Sequence, residues 1–179
     1  MYLIIDVEAT CWQRGHSLHG QNEIIEIGTV PLNDDCEVLG EVQQFVKPVR
    51  HPILSEFCTK LTSITQSDVD TAQLFPDALA NLQRQVEEMR GCRLSDLVFC
   101  SWGDYDRKQF VKDCHYHRIA YPFGVHRNMK TEFARRHRIR PVGVVRALRI
   151  LGIRFEGTVH RGIDDARNIA KIFQALRVI

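Results

Sequence analysis

Four carboxylates and one histidine stand where structure alone would not require them. Asp6 and Glu8 end the apolar run that begins at Tyr2. Strand side chains alternate between faces, so residues two apart project together. Two carboxylates held on one face near the interior are costly unless a cation offsets them. Hard Mg²⁺ or Mn²⁺ prefers oxygen ligands, so the pair is a ready divalent-metal site; the plain alternative is a solvated strand end. Asp104 follows the run that closes on Ser101-Trp102-Gly103, at the carboxyl end of a strand, where open α/β sheets place their sites. Aspartate is also a common helix N-cap, and Asp106 competes for either job. The third place is His160, Asp164 and Asp165 in V-H-R-G-I-D-D-A-R-N-I-A. The aspartates lie in the first turn of a helix, where the dipole favours negative charge and one of them can serve as a cap. Histidine is the side chain best matched to general-base work near neutral pH.

The elements that must position these groups follow from periodicity. Tyr2–Ile5 reads as a buried strand, Ile24–Val30 as a second, and Val38–Val46 as a third that pairs back after the turn at Asn33-Asp34-Asp35. A short helix is expected over Leu54–Leu61, with Thr65–Asp70 a polar segment. Phe75, Leu79, Leu82, Val86 and Met89 form one apolar stripe of an amphipathic helix, with Pro76 suited to its first turn and Gly91 closing it. Leu97–Trp102 is dense and apolar, as in a buried parallel strand. Helices are expected from Asp106 to His117, burying Phe110, Val111 and Cys114, and over Met129–His137. Another covers Val142–Leu151, with Val145, Leu148 and Leu151 inward and Arg146 and Arg149 outward. The last spans Ile163–Leu176. The order β-β-β-α-β-α-(β)-α predicts an α/β sandwich with a mixed sheet. With no repeat or linker, residues 1–179 read as one domain.

Composition bounds the rest. Lys plus Arg number 24 and Asp plus Glu 22, a net charge of +2, which excludes a polybasic wrapping protein. The balance is uneven, however. His126–Arg154 carries nine basic residues against one acid, Glu132, leaving the remainder at −6. No apolar stretch is long enough to span a bilayer and the apolar start is too short for a signal peptide, so a reducing, cytoplasmic setting with no membrane partner is expected. The six cysteines form no C-x-x-C pair and read as reduced thiols. Zinc at Cys114, His115 and His117 would lack a second ligand pair.

The joint pattern resembles the DEDDh-type (DnaQ-like) 3′–5′ exonucleases of the ribonuclease H-like fold. D-V-E-A-T-C from Asp6, K-L-T-S-I from Lys60, S-W-G-D-Y-D from Ser101 and H-R-G-I-D-D-A-R-N-I-A from His160 are similar to the Eri-type exoribonuclease subfamily, across Ile4 to Ile172. The resemblance implies Asp6, Glu8, Asp104 and Asp165 as ligands of two divalent ions, Mg²⁺ or Mn²⁺, with His160 the general base. It implies hydrolysis of single-stranded RNA, with DNA an open alternative substrate, from the 3′-hydroxyl end to nucleoside 5′-monophosphates. It also implies that Ala9, Thr10, Leu61 and Ile64 flank the last nucleotide and that Lys130 and Arg161 lie near phosphates. Trp102 and Trp12 could stack on bases, although Trp102 also reads as core. The basic segment 126–154 is a candidate phosphate track or a solvated helix face. No appended nucleic-acid-binding domain is expected, leaving a bare catalytic unit. Rival readings are a polymerase proofreading subunit, an oligoribonuclease, or a regulator that binds a protein partner.

Overall fold

A computed structural model describes residues 1–178. The strands are β1 (Tyr2–Ala9), β2 (Ile24–Leu32), β3 (Val42–Lys47), β4 (Gln73–Leu74), β5 (Val98–Ser101) and β6 (His126–Asn128). The helices are α1 (Glu56–Thr62), α2 (Gln66–Asp70), α3 (Phe75–Arg90), α4 (Tyr105–His117), α5 (Met129–His137), α6 (Val144–Ile150) and α7 (Gly162–Val178). The strands form one mixed sheet in the order β4-β3-β2-β1-β5-β6. β2 runs antiparallel to β1 and β3, whereas β5 is parallel to β1 and β6.

Alternation along β1 divides the core between the two faces. Leu3, Ile5 and Val7 pack with Phe99 against α3 (Phe75, Leu79, Leu82, Val86) and α4 (Phe110, Cys114). Ile4 on the other face joins Cys100, Met129, Phe133, Leu148 and the α7 stripe Ala166, Ile169, Ala170 and Phe173. β2 is buried along its whole length, as a strand covered on both faces should be. The expected α/β sandwich with a mixed, helix-flanked sheet is what the chain forms.

Several boundaries differ for physical reasons. β1 runs on through Asp6 and Glu8 to Ala9, because Gly28, Ile27, Glu26 and Ile24 of β2 continue to pair with it. The acids therefore sit within the strand rather than beyond it. Val38 makes only an isolated bridge to Leu32, so β3 begins at Val42. Thr65–Asp70 contains a helical turn, α2, closed by a capping box in which Asp68 accepts the Thr65 N–H at 2.8 Å. Val111 of α4 is exposed while Gln109 and Asp113 are buried, because Asp113 accepts the Ile24 N–H at 2.7 Å and Arg50 Nη2 at 2.9 Å. α6 starts only at Val144, which turns Ala147 and Leu148 inward and leaves Val145 40% exposed. Among the described residues no helix is long and apolar enough to cross a membrane.

Candidate active site

The site is built on the β1 face that α7 covers. Asp6 and Glu8 project there, and across the ladder their partners on β2 are Gly28 and Glu26. A Cβ on Gly28 would lie 2.1 Å from the Gly162 carbonyl carbon, so only glycine lets the start of α7 touch the sheet. Glu26, fully buried, fixes that contact. Its Oε2 accepts the Gly162 N–H at 3.0 Å and Arg161 Nε at 3.2 Å, and its Oε1 accepts Gln43 Nε2 at 2.7 Å. Glu26 had no role in the sequence reading. Its signal was a lone acid inside the apolar run I-I-E-I-G, which a buried strand tolerates only when the charge is paired.

With α7 pinned, its first turn delivers Asp165, and the preceding loop delivers His160. Asp165 Oδ2 accepts the His160 N–H at 2.8 Å, holding His160 in a left-handed conformation (φ 63°). Its neighbour Asp164 turns away, accepting the Thr158 N–H at 2.9 Å and pairing with Arg167 at 2.7 Å. Ligand atoms of Glu8, His160 and Asp165 lie within 4.8 Å of one another.

The third acid of the cluster is Asp106, not Asp104. β5 ends at Ser101 and the chain bends through Gly103 (φ 125°). The side chain that returns to β1 is in the first turn of α4: Asp106 Oδ1 accepts the Val7 N–H, between Asp6 and Glu8, at 3.0 Å. Asp104 makes no side-chain cap to α4. It is 47% exposed and lies 3.8 Å from His126 Nδ1, in a separate depression with Arg127, Thr131 and Arg135. Asp6, Glu8, Asp106, His160 and Asp165 together line a cleft of about 620 Å³, walled by Trp102, Tyr105, Val145 and Val159, with Arg146 and Arg149 of α6 on one side.

This crowding of carboxylates has an electrostatic signature. Burial, and then the charges of Asp106, Asp165 and Glu8, push Asp6 well above the usual carboxylate range. Burial, followed by Asp165, Glu26 and Asp106, raises Glu8 to about 8. Burial lifts Asp106 to about 6 against the opposing hydrogen bond from Val7, and lifts Asp165 to about 6 against that from His160. Like charges in a poorly solvated site resist ionising together unless a cation joins them. Four carboxylates and an imidazole are a donor set suited to a divalent cation.

The other expected contacts divide. Trp102 lines the cleft, with its Nε1 donating to the Val142 carbonyl at 2.9 Å and its ring against Phe133. It is thus both cleft wall and part of the packing beside the core. Leu61 is 37% exposed on α1, but Ile64 is fully buried among Ile25, Leu54, Cys58 and Val69. Ile64 therefore has no surface to offer a base. The side chain of Thr10 is also buried, its Oγ1 accepting the Glu23 N–H at 3.0 Å. Ala9 is buried, with its carbonyl facing Cys58 Sγ at 3.7 Å. Arg161 is engaged by Glu26 and lies over the Phe45 ring, which makes it an anchor of α7. Lys130 is half-buried on α5, outside the residues that line the cleft.

The mixed sheet and the cleft define the ribonuclease H-like fold of DEDDh-type exonucleases. The RNase_T model, described as Exonuclease, matches residues 3–173, and the chain belongs to that family. A crystallographic structure of the nuclease domain of 3'hExo, a DEDDh family member bound to rAMP, superposes with a TM-score of 0.90 at 30% identity, covering 99% of this chain and 91% of that one. ERI1 exoribonuclease 2 of Homo sapiens is 32% identical over 94% of this chain and 27% of its own length. The 3'-5' exoribonuclease 1 of Rattus norvegicus is 34% identical over 94% of this chain and 50% of its own length. The chain thus spans between about a quarter and a half of these curated relatives. Exonucleases of the DEDDh type depend on divalent metal, and the grouping of Glu8, His160 and Asp165 is a candidate site for it.

Proposed function

We propose that this chain is the catalytic unit of a 3′–5′ exonuclease that hydrolyses single-stranded RNA from its 3′-hydroxyl end and releases nucleoside 5′-monophosphates. The observation that carries the reading is the convergence of Asp6, Glu8, Asp106, Asp165 and His160 in one cleft. The similarity to 3'-5' exoribonuclease 1, and to the nuclease domain of 3'hExo bound to rAMP, supports both the reaction and the substrate class.

Asp6, Glu8, Asp106 and Asp165 would hold two divalent ions, Mg²⁺ or Mn²⁺, which when bound neutralise charge on the attacking and leaving oxygens of an in-line phosphodiester displacement. The chain's own groups do the rest. A ring nitrogen of His160 takes the proton of the attacking water, while the Asp165 bond to its backbone holds the residue over Glu8. Trp102, Tyr105 and Val145 give the terminal nucleoside apolar walls, and Arg146 and Arg149 face its phosphates. Asp104 has no part in this set.

A 5′-labelled single-stranded RNA incubated with the protein and Mg²⁺ or Mn²⁺ should shorten from its 3′ end one nucleotide at a time, and a 3′-phosphorylated strand should resist. Cleavage at internal positions, or equal attack on the blocked end, would overturn the assignment.

A further inference from the structure

His160 rides on a segment that its own backbone does not hold. Residues 156–160 are all exposed, and among the described residues no main-chain hydrogen bond involves residues 154–160. An exposed segment of that kind opens readily unless side chains secure it. For a general base the consequence is direct, since a misplacement of about 1 Å can cost on the order of a hundredfold in rate.

Three side chains of α7 supply what the backbone does not. The amides of every second residue are taken up in turn: Glu156 by Asn168 Oδ1 at 3.2 Å, Thr158 by Asp164 Oδ2 at 2.9 Å and His160 by Asp165 Oδ2 at 2.8 Å. Asn168 also donates through Nδ2 to the Glu156 carbonyl at 2.8 Å and to the Asp164 carbonyl at 2.7 Å. It is fully buried, where an amide is costly unless its polar atoms are matched, and the loop is what matches it. Asp164 is fixed in turn by Arg167, whose Nη1 lies 2.7 Å from it while its Nη2 reaches Glu41 at 2.6 Å. A Cβ on Gly157 would collide with the Asp164 carboxylate, so the loop is seated directly on that acid. Acids in the first turn of a helix ordinarily face its own free N–H groups. Among the described residues Asp164 and Asp165 accept instead from the loop that precedes α7.

We propose that Asn168 and Asp164 are positioning residues for the general base, bracing residues 156–160 so that His160 stays beside Glu8 and Asp165. The inference rests on the exonuclease reading above and adds to it the groups that act through His160 without touching substrate or metal. Wild-type, Asp164→Ala, Asp164→Asn and Asn168→Ala proteins are compared on a single-stranded RNA in Mg²⁺, each also in a His160→Ala background. Asp164→Ala and Asn168→Ala should each lower kcat about tenfold, with KM and calorimetric Mn²⁺ affinity within about twofold of wild type. Asp164→Asn, whose amide oxygen still accepts the Thr158 N–H, should stay within about threefold in kcat. The His160→Ala background is itself about a hundredfold slower. There the same changes should move kcat less than about twofold, because no imidazole is left to misplace. Equal losses in both backgrounds, or a drop in Mn²⁺ affinity that parallels the drop in rate, would overturn the brace. Hydrogen exchange separates this proposal from the reading it rests on. The Thr158 and His160 amides should exchange at least about tenfold faster in Asp164→Ala than in wild-type protein, and unchanged exchange would overturn the brace even if Asn168→Ala fails to fold. Wild-type protein that shows this protection but does not shorten RNA would overturn the exonuclease reading and leave the brace standing.

Discussion

Asp104 and Asp106 are separated by one residue and have opposite environments. The first lies half in solvent beside His126; the second is buried, with its Oδ1 on the Val7 amide. Asp106→Asn should weaken Mn²⁺ binding at least about tenfold by calorimetry, and Asp104→Asn should leave it within about twofold. The D-x-E pair and Asp165 were legible because strand alternation and a helix first turn dictate direction. The third acid was not, because the bend at Gly103 decides which aspartate turns inward. Titration gives a second prediction. The folded-state carboxyls of Asp6, Glu8, Asp106 and Asp165 all stand above the ordinary value near 4. Between about pH 4 and 8 the metal-free folded state holds protons that the unfolded chain has lost, so this cluster makes stability decline as pH rises through that window. In EDTA, Tm should fall from pH 5 to pH 8, and less steeply in Glu8→Gln. Added Mn²⁺ should raise Tm more at pH 8, where fewer protons compete for the ligands. A Glu8→Gln protein with the wild-type pH slope would contradict this account of the cluster.

The element that matters most for the site is the start of α7, held against β1 and β2 by two glycines and one buried acid. Gly28→Ala puts a methyl group into the Gly162 backbone, and the backbone has to move. A loss of about 1–3 kcal/mol in urea unfolding is expected, with activity falling further than stability because His160 and Asp165 move with the helix. Unchanged activity in a folded Gly28→Ala protein would contradict this coupling. Glu26→Gln should cost about 2 kcal/mol, the scale of a hydrogen bond to a charged group, through the Gly162 and Arg161 bonds. The long helices α3 and α7 could be read from their apolar stripes, which single-face burial imposes on sequence. The short strand β4 could not, and β6 was expected only as a bracketed strand with no range, since each exists only because a neighbouring strand offers a free edge. The inward turn of Ala147 in place of Val145 depends on where Gly143 lets α6 begin, and periodicity alone does not locate that.

At the scale of the molecule, a net charge of +2 conceals a division. The acids gather at the cleft floor, while two exposed arginines of α6, Arg146 and Arg149, stand on its wall. Such a field draws a polyanion toward a centre that would repel it until cations are bound, so both strand binding and turnover should be sensitive to salt and to chelation. The most direct test of the central claim measures release of nucleoside 5′-monophosphates from single-stranded RNA in Mg²⁺, comparing wild-type, Asp104→Asn and Asp106→Asn proteins of matched Tm. Wild-type and Asp104→Asn should turn over at similar rates and stop in excess EDTA, while Asp106→Asn should lose about two to three orders of magnitude, the scale of one electrostatic contact to the transition state. Activity that persists in EDTA, or that survives Asp106→Asn and is lost in Asp104→Asn, would contradict the account.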